Sequence, residues 1–165
     1  MARTISTVWI AMLLALCCGV APAPVRAANA SFCSAIADRD TQLSCLAESN
    51  GAANWCGGIT ASDARNLCFA KANHDVSACN NIAASDSRYF CQATIGSNDI
   101  TCNSIGGADQ RGYCHALVLN SSDYCRQIAS NDAMNYCLAA TLNSAGYCGA
   151  ITAPDLRNYC LALRS

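Results

Sequence analysis

The sequence predicts an all-α protein, a solenoid of six 23-residue helical hairpins, each stapled by a disulfide. Three observations predict it. Twelve cysteines (Cys33, Cys45, Cys56, Cys68, Cys79, Cys91, Cys102, Cys114, Cys125, Cys137, Cys148 and Cys160) are separated alternately by 12 and 11 residues. Isoleucine, aspartate and alanine recur at fixed offsets from them: Ile36, Asp40 and Ala47 in the first unit, Ile151, Asp155 and Ala162 in the sixth. Between these stretches lie breakers such as Asn50-Gly51, Asn73-His74-Asp75 and Asn120-Ser121-Ser122. A period of this length marks a stacked array in which no unit can bury a core alone.

Residues 1–30 read as an export signal. Arg3 supplies the positive start, Val8 to Val20 form a short apolar run, and Val25-Arg26-Ala27 and Ala28-Asn29-Ala30 both suit a signal peptidase. The run is too short for a membrane span, and no later stretch is long enough. Cleavage near Ala30 leaves residues 31–165 as the six-repeat array, with units starting at Cys33, Cys56, Cys79, Cys102, Cys125 and Cys148. It removes Cys17 and Cys18 and leaves twelve cysteines, an even count that in an exported chain implies a disulfide framework. The destination is the periplasm or the medium. Eight basic against eleven acidic residues give the remainder a charge of −3, with Lys71 its one lysine. That balance lacks the footprint of a nucleic-acid binder or of a polybasic membrane patch.

Within each unit, Cys and Ile three apart share a helical face, and so do the second Cys and the residues three and four beyond it. The Asp falls where a first helical turn welcomes negative charge. Thr60-Ala61-Ser62-Asp63 and Thr152-Ala153-Pro154-Asp155 resemble capping boxes, and Pro154 requires a helix start. Each unit therefore reads as two antiparallel helices of about two turns apiece. Such helices are marginal alone, because nucleation costs more than two turns return. Closing a loop of about a dozen residues contributes roughly 3 kcal/mol.

Two periodic pairing schemes exist. One joins the cysteines within a unit: Cys33–Cys45, Cys56–Cys68, Cys79–Cys91, Cys102–Cys114, Cys125–Cys137 and Cys148–Cys160. The other joins each second Cys to the next unit and strands Cys33 and Cys160. The mature chain starts and stops in phase with the first scheme, whose cysteines also lie symmetrically about the hairpin turn. The Ala two residues after the second Cys lies on the opposite side of its helix, where a neighbouring helix can approach closely. Six layers spaced by about 8–10 Å then make a short rod or arc with a concave surface.

This outline resembles the secreted, cysteine-rich, TPR-like bacterial repeat proteins, in which each helix pair is stapled by a disulfide. The resemblance is one of architecture and carries no individual residue across. It implies a binding scaffold rather than an enzyme.

The Asp residues are expected to stabilise helix starts, some pairing with Arg65, Arg88, Arg111 or Arg157. His74 and His115 stand in no catalytic or ligand spacing, no nucleophile elbow, P-loop or dinucleotide fingerprint occurs, and no cofactor is implied. The candidate binding surface is aromatic. Trp55, Tyr124 and Tyr147 precede first cysteines, as Phe32 does, and Phe90, Tyr113, Tyr136 and Tyr159 precede second ones. On a regular array these form two rows, the second interrupted at Ser44 and Leu67. Tyrosine and tryptophan suit interfaces and glycan stacking, although inter-unit packing is the other use of such rows. The expected function is an exported, non-enzymatic scaffold that meets another extracytoplasmic protein or a surface polymer such as a glycan. One alternative is a self-assembling structural protein, suggested by the apolar end Leu161-Ala162-Leu163. The other is a soft-metal (copper) binder, which requires free thiols.

Overall fold

A computed structural model describes residues 30–165; residues 1–29 of the expected export signal lie outside the described residues. Among these residues there are helices and no strands, in six repeats of one unit. The long second elements are α2 (Arg39–Asn50), α3 (Ser62–Asn73), α4 (Ser85–Gly96), α6 (Ala108–Val118), α7 (Asn131–Thr141) and α8 (Pro154–Arg164). The short first elements are α1 (Ala30–Ser34), η1 (Ala53–Gly58), η2 (Val76–Asn81), α5 (Asp99–Cys102), η3 (Cys125–Gln127) and η4 (Ala145–Ala150).

The two halves of a unit are therefore unequal. The second is a three-turn helix of 11 or 12 residues, longer than its two-turn expectation. The first is mostly a 3₁₀ stretch of three or six residues, closed by the Ile N–H donating to the carbonyl of the Cys three residues earlier, as in Ile59 to Cys56 at 3.2 Å. Glycines and asparagines around this Cys favour the tighter turn over a continued helix.

Six disulfides join Cys33–Cys45, Cys56–Cys68, Cys79–Cys91, Cys102–Cys114, Cys125–Cys137 and Cys148–Cys160, with Cα atoms 5.5 to 5.7 Å apart. Each ties the short element to the middle of its own long helix. Five long helices end on a left-handed turn at Gly51, His74, Ser97, Asn120 or Asn143, with φ between 47 and 60°. The N–H one residue later returns to the carbonyl of the repeated Ala: Ala52 to Ala47, Asp75 to Ala70, Asn98 to Ala93, Ser121 to Ala116 and Ser144 to Ala139, at 3.0 to 3.1 Å. This is the Schellman closure that lets the chain reverse.

The hydrophobic core lies between units rather than inside them. Ala70 packs on Cys79, Ile82 and Cys91 of the following unit, Ala93 on Cys102, Ile105 and Cys114, and Ala139 on Cys148, Ile151 and Cys160. All of these residues are fully buried or nearly so. The methyl-sized side chain lets each long helix approach the next unit's disulfide, as its position on the helix requires.

The array does not remain an open arc. Ala162 of the last unit is buried against Cys33, Ile36 and Cys45 of the first, and α8 packs on both α1 and α2 in the manner of every other neighbouring pair. The last unit thus covers the first, and the six units close into a ring. The apolar C-terminal segment that suggested end-to-end assembly is accounted for by this contact.

The repeated Asp makes the closure specific. Each sits in the first turn of its own helix, but its carboxylate spans to the following unit, where it accepts two successive backbone N–H groups. Asp63 takes those of Ala83 and Ala84 at 2.9 Å each, and Asp86 those of Gly106 and Gly107 at 3.0 and 2.9 Å. Asp155 takes those of Ala37 and Asp38 at 2.9 and 3.0 Å, across the seam. The second donor is in each case the N-cap residue just ahead of the next long helix, so a donor at that helix start is satisfied from the neighbour. The two expected capping boxes do not form. The caps are Ala61 and Ala153, without side-chain acceptors, and the Thr60 and Thr152 hydroxyls donate instead to Asp40 and Asp132, both at 2.8 Å. Nor do the arginines pair with the aspartates. Arg65, Arg88, Arg111 and Arg157 donate to the carbonyls of Ile59, Ile82, Ile105 and Ile151 at 2.8 to 3.3 Å.

Candidate functional site

The closed ring places its long helices side by side, parallel and in register, so equivalent residues of successive units meet. Phe90 stacks on Tyr113 with centroids 5.5 Å apart, Tyr113 meets Tyr136 in a tilted contact at 5.7 Å, and Tyr136 meets Tyr159 edge-on at 6.2 Å. These four residues, each preceding a second cysteine, form a continuous aromatic crescent around the centre of the ring. The row then breaks at Ser44 and Leu67; Leu67 packs against the Ala70–Cys79–Ile82–Cys91 cluster, and Ser44 borders open space.

A cavity of about 460 Å³ lies beside the crescent, lined by Thr41, Lys71, Tyr113, Tyr136, Ala153, Asp155, Leu156 and Tyr159. Its lining comes from five of the six units, which only a closed ring can bring together. A second hollow of the same volume adjoins it, sharing Thr41 and Tyr159 and adding Ser44 and Ala64. Both open where the long helices begin. The size is that of an ordinary small-ligand pocket.

One turn further along the helices, Lys71 Nζ contacts Glu48 Oε1 at 2.7 Å. This is the one ion pair among the described residues, and its partners stand 23 residues apart, the same slot in adjacent units. Lys71 also borders two hollows that open on the opposite face, one with Glu48 and Gly51 and the other with Thr94 and Ser97; His74 lines both. Lys71 is thus the one residue that the central cavity shares with the hollows on the opposite face.

Burial raises the pKa of Tyr113, Tyr136 and Tyr159 above the usual phenol value, and the nearby Glu48 charge adds to the rise. The hydroxyls around the cavity are consequently neutral at any physiological pH, able both to donate and to accept. Around the rim the opposite holds. Backbone N–H donation holds Asp40, Asp63, Asp86, Asp132 and Asp155 below the usual carboxylate range.

The expected aromatic surface is thus two separate features. Phe90, Tyr113, Tyr136 and Tyr159 gather at the centre. Trp55 and Tyr147 lie on the outer elements and are over a third exposed. Tyr124 stacks on His115 of the preceding helix at 5.2 Å, and the His115 Nδ1 is buried without a hydrogen-bond partner. Thr41, Glu48, Lys71, Asp155 and Leu156 did not stand out as site residues in the sequence. Only the 23-residue offset of Glu48 and Lys71, read as adjacency, signals any of them.

All twelve cysteines of the described residues are in disulfides, so none is the thiolate donor that a soft-metal store uses. Six disulfides point to an oxidising, extracytoplasmic environment, and among the described residues no helix is long and apolar enough to cross a membrane. No family model, curated protein or solved structure matches this chain.

Proposed function

We propose that the chain is an exported, non-enzymatic binding module for another extracytoplasmic protein or a surface polymer, and that its partner engages the centre of the ring. Residues 1–30 supply the export signal, and the disulfides suit the compartment to which it leads. The observation that carries the reading is the broken aromatic crescent. Four of six equivalent positions hold large rings and two do not, and two adjoining hollows lie beside this crescent. The lining offers hydroxyls, an apolar patch and a rigid frame, the ingredients of recognition.

The test is capture of cell-surface polymers and extracytoplasmic proteins on the immobilised, oxidised chain. Thr41→Trp fills the cavity from its edge, and Trp55→Ala with Tyr147→Ala strips the outer aromatics. Capture abolished by the first variant and kept by the second supports the reading. The reverse pattern moves the binding surface to the circumference and overturns it. Circular dichroism and a count of free thiols show that each variant is folded.

A further inference from the structure

We infer that the cavity at the ring centre is a blind site for the uncharged end of a glycan, taking one terminal sugar ring. The inference rests on the proposed binding role and names its ligand chemistry. Its first ground is the kind of polar group present. Tyr113, Tyr136, Tyr159 and Thr41 bring four hydroxyls to one cavity of about 460 Å³; those of Tyr113 and Tyr136 bond to each other and that of Tyr159 to Glu48, and the donor and acceptor capacity that remains matches the alcohols of a sugar.

The second ground is charge. The ammonium bordering the cavity, Lys71, is already neutralised by Glu48 at 2.7 Å. The carboxylate bordering it, Asp155, already receives two amide hydrogens. A carboxylate terminus or an acidic sugar would give up its water beside the Asp155 charge and gain no free cation, which is costly. A neutral ring loses little, and Leu156 and Ala153 offer its C–H face an apolar contact.

The third ground is shape. Lys71 separates this cavity from the hollows on the opposite face. With the Lys71 side chain standing between the hollows of the two faces, the site takes a chain end rather than an interior segment.

The experiment is calorimetric titration of the oxidised mature chain with the methyl glycosides of glucose, galactose, mannose and N-acetylglucosamine. At least one is expected to bind with Kd on the order of 1 mM, the strength of a few hydrogen bonds on one small ring. Tyr136→Phe removes a single oxygen and keeps the ring packing; it should weaken that binding about tenfold, the equivalent of one hydrogen bond. Trp55→Ala should leave it unchanged. Absence of binding by all four glycosides overturns the inference, as does binding that is unaltered in a Tyr136→Phe, Tyr159→Phe double variant. Glycoside silence with macromolecular capture still lost in Thr41→Trp removes the sugar and leaves the ring-centre reading standing. Glycoside binding with capture insensitive to Thr41→Trp does the opposite.

Discussion

The Asp155 carboxylate accepts the Ala37 amide hydrogen at 2.9 Å across 118 residues of chain, with the geometry that Asp63 gives Ala83 across 20. The sixth joint is therefore made like the other five, except that no peptide bond crosses it. Asp155→Asn should loosen this joint first, because the amide nitrogen cannot accept and the oxygen that remains is uncharged. Hydrogen exchange at Ala37 and Asp38 should accelerate markedly while that at Ala83 and Ala84 stays slow. Equal protection at both joints would show that helix packing alone closes the ring.

Acid should loosen the joints made by Asp40, Asp63, Asp86, Asp132 and Asp155 together. Asp40, Asp63, Asp86, Asp132 and Asp155 have folded-state pKa values below the unfolded value of 3.8 because each accepts backbone N–H donors. A depressed carboxylate contributes stability that is fully present above the unfolded pKa and is lost as pH falls through the folded one. Melting temperature should be flat down to about pH 4.5 and then decline below the unfolded pKa. At the alkaline end, Tyr136 and Tyr159 have raised values through desolvation, so their contribution is present below pH 10 and fades as pH rises beyond it. A thermal scan across pH checks both edges.

Cys102→Ser should cost roughly 2–5 kcal/mol in denaturant unfolding. The loss combines one hairpin staple with one joint, since the Cys102–Cys114 sulfurs are also the surface on which Ala93 packs. Mass mapping should find Cys114 as the single new thiol.

Ala116→Leu tests the joints directly. Ala116 is fully buried against Cys125, Ile128 and Cys137, and added methylenes there force neighbours off their rotamers. A destabilisation of about 1–3 kcal/mol is expected, against little change for a substitution at the exposed Leu119. Urea unfolding of the two variants measures the contrast.

A circular permutant should keep the fold. Joining Ser165 to Ala30 by a linker like the one between Thr141 and Ala145, and opening the chain between Asn120 and Ser121, exchanges one joint for another. Retained far-ultraviolet circular dichroism and six formed disulfides are the expected result. An unfolded or oxidatively scrambled product would show that the natural seam is unlike the rest.

The repeat itself made much of this fold readable. Cys, Ile and Ala at a 23-residue spacing gave the helical unit and the sandwiching of each long helix between sulfur and alanine, because those contacts are set by residues close in sequence. Closure was not readable in the same way. It depends on a small rotation repeated at every joint, and no local pattern in Ala70 or Ile82 records whether the rotations sum to a full circle. The role of Asp63 was half visible. Its place in a first helical turn follows from its own unit, but its acceptor sites on Ala83 and Ala84 lie in the next one. Thr60 was misassigned for the same reason: a hydroxyl ahead of Ser62-Asp63 looks like a cap until a carboxylate from another unit reaches it. The site was the least readable part. Ser44 and Leu67 looked like gaps in a row, and only the ring turns a gap into a cavity.

Closure also removes a freedom that linear stacks possess. An open superhelix can gain or lose a layer and remain the same kind of object. Here each interface turns the path by one sixth of a revolution, so a duplicated or deleted layer leaves either a clash or a gap. The number six is a geometric constant of this molecule, and drift in length is confined to the bends that connect one layer to the next.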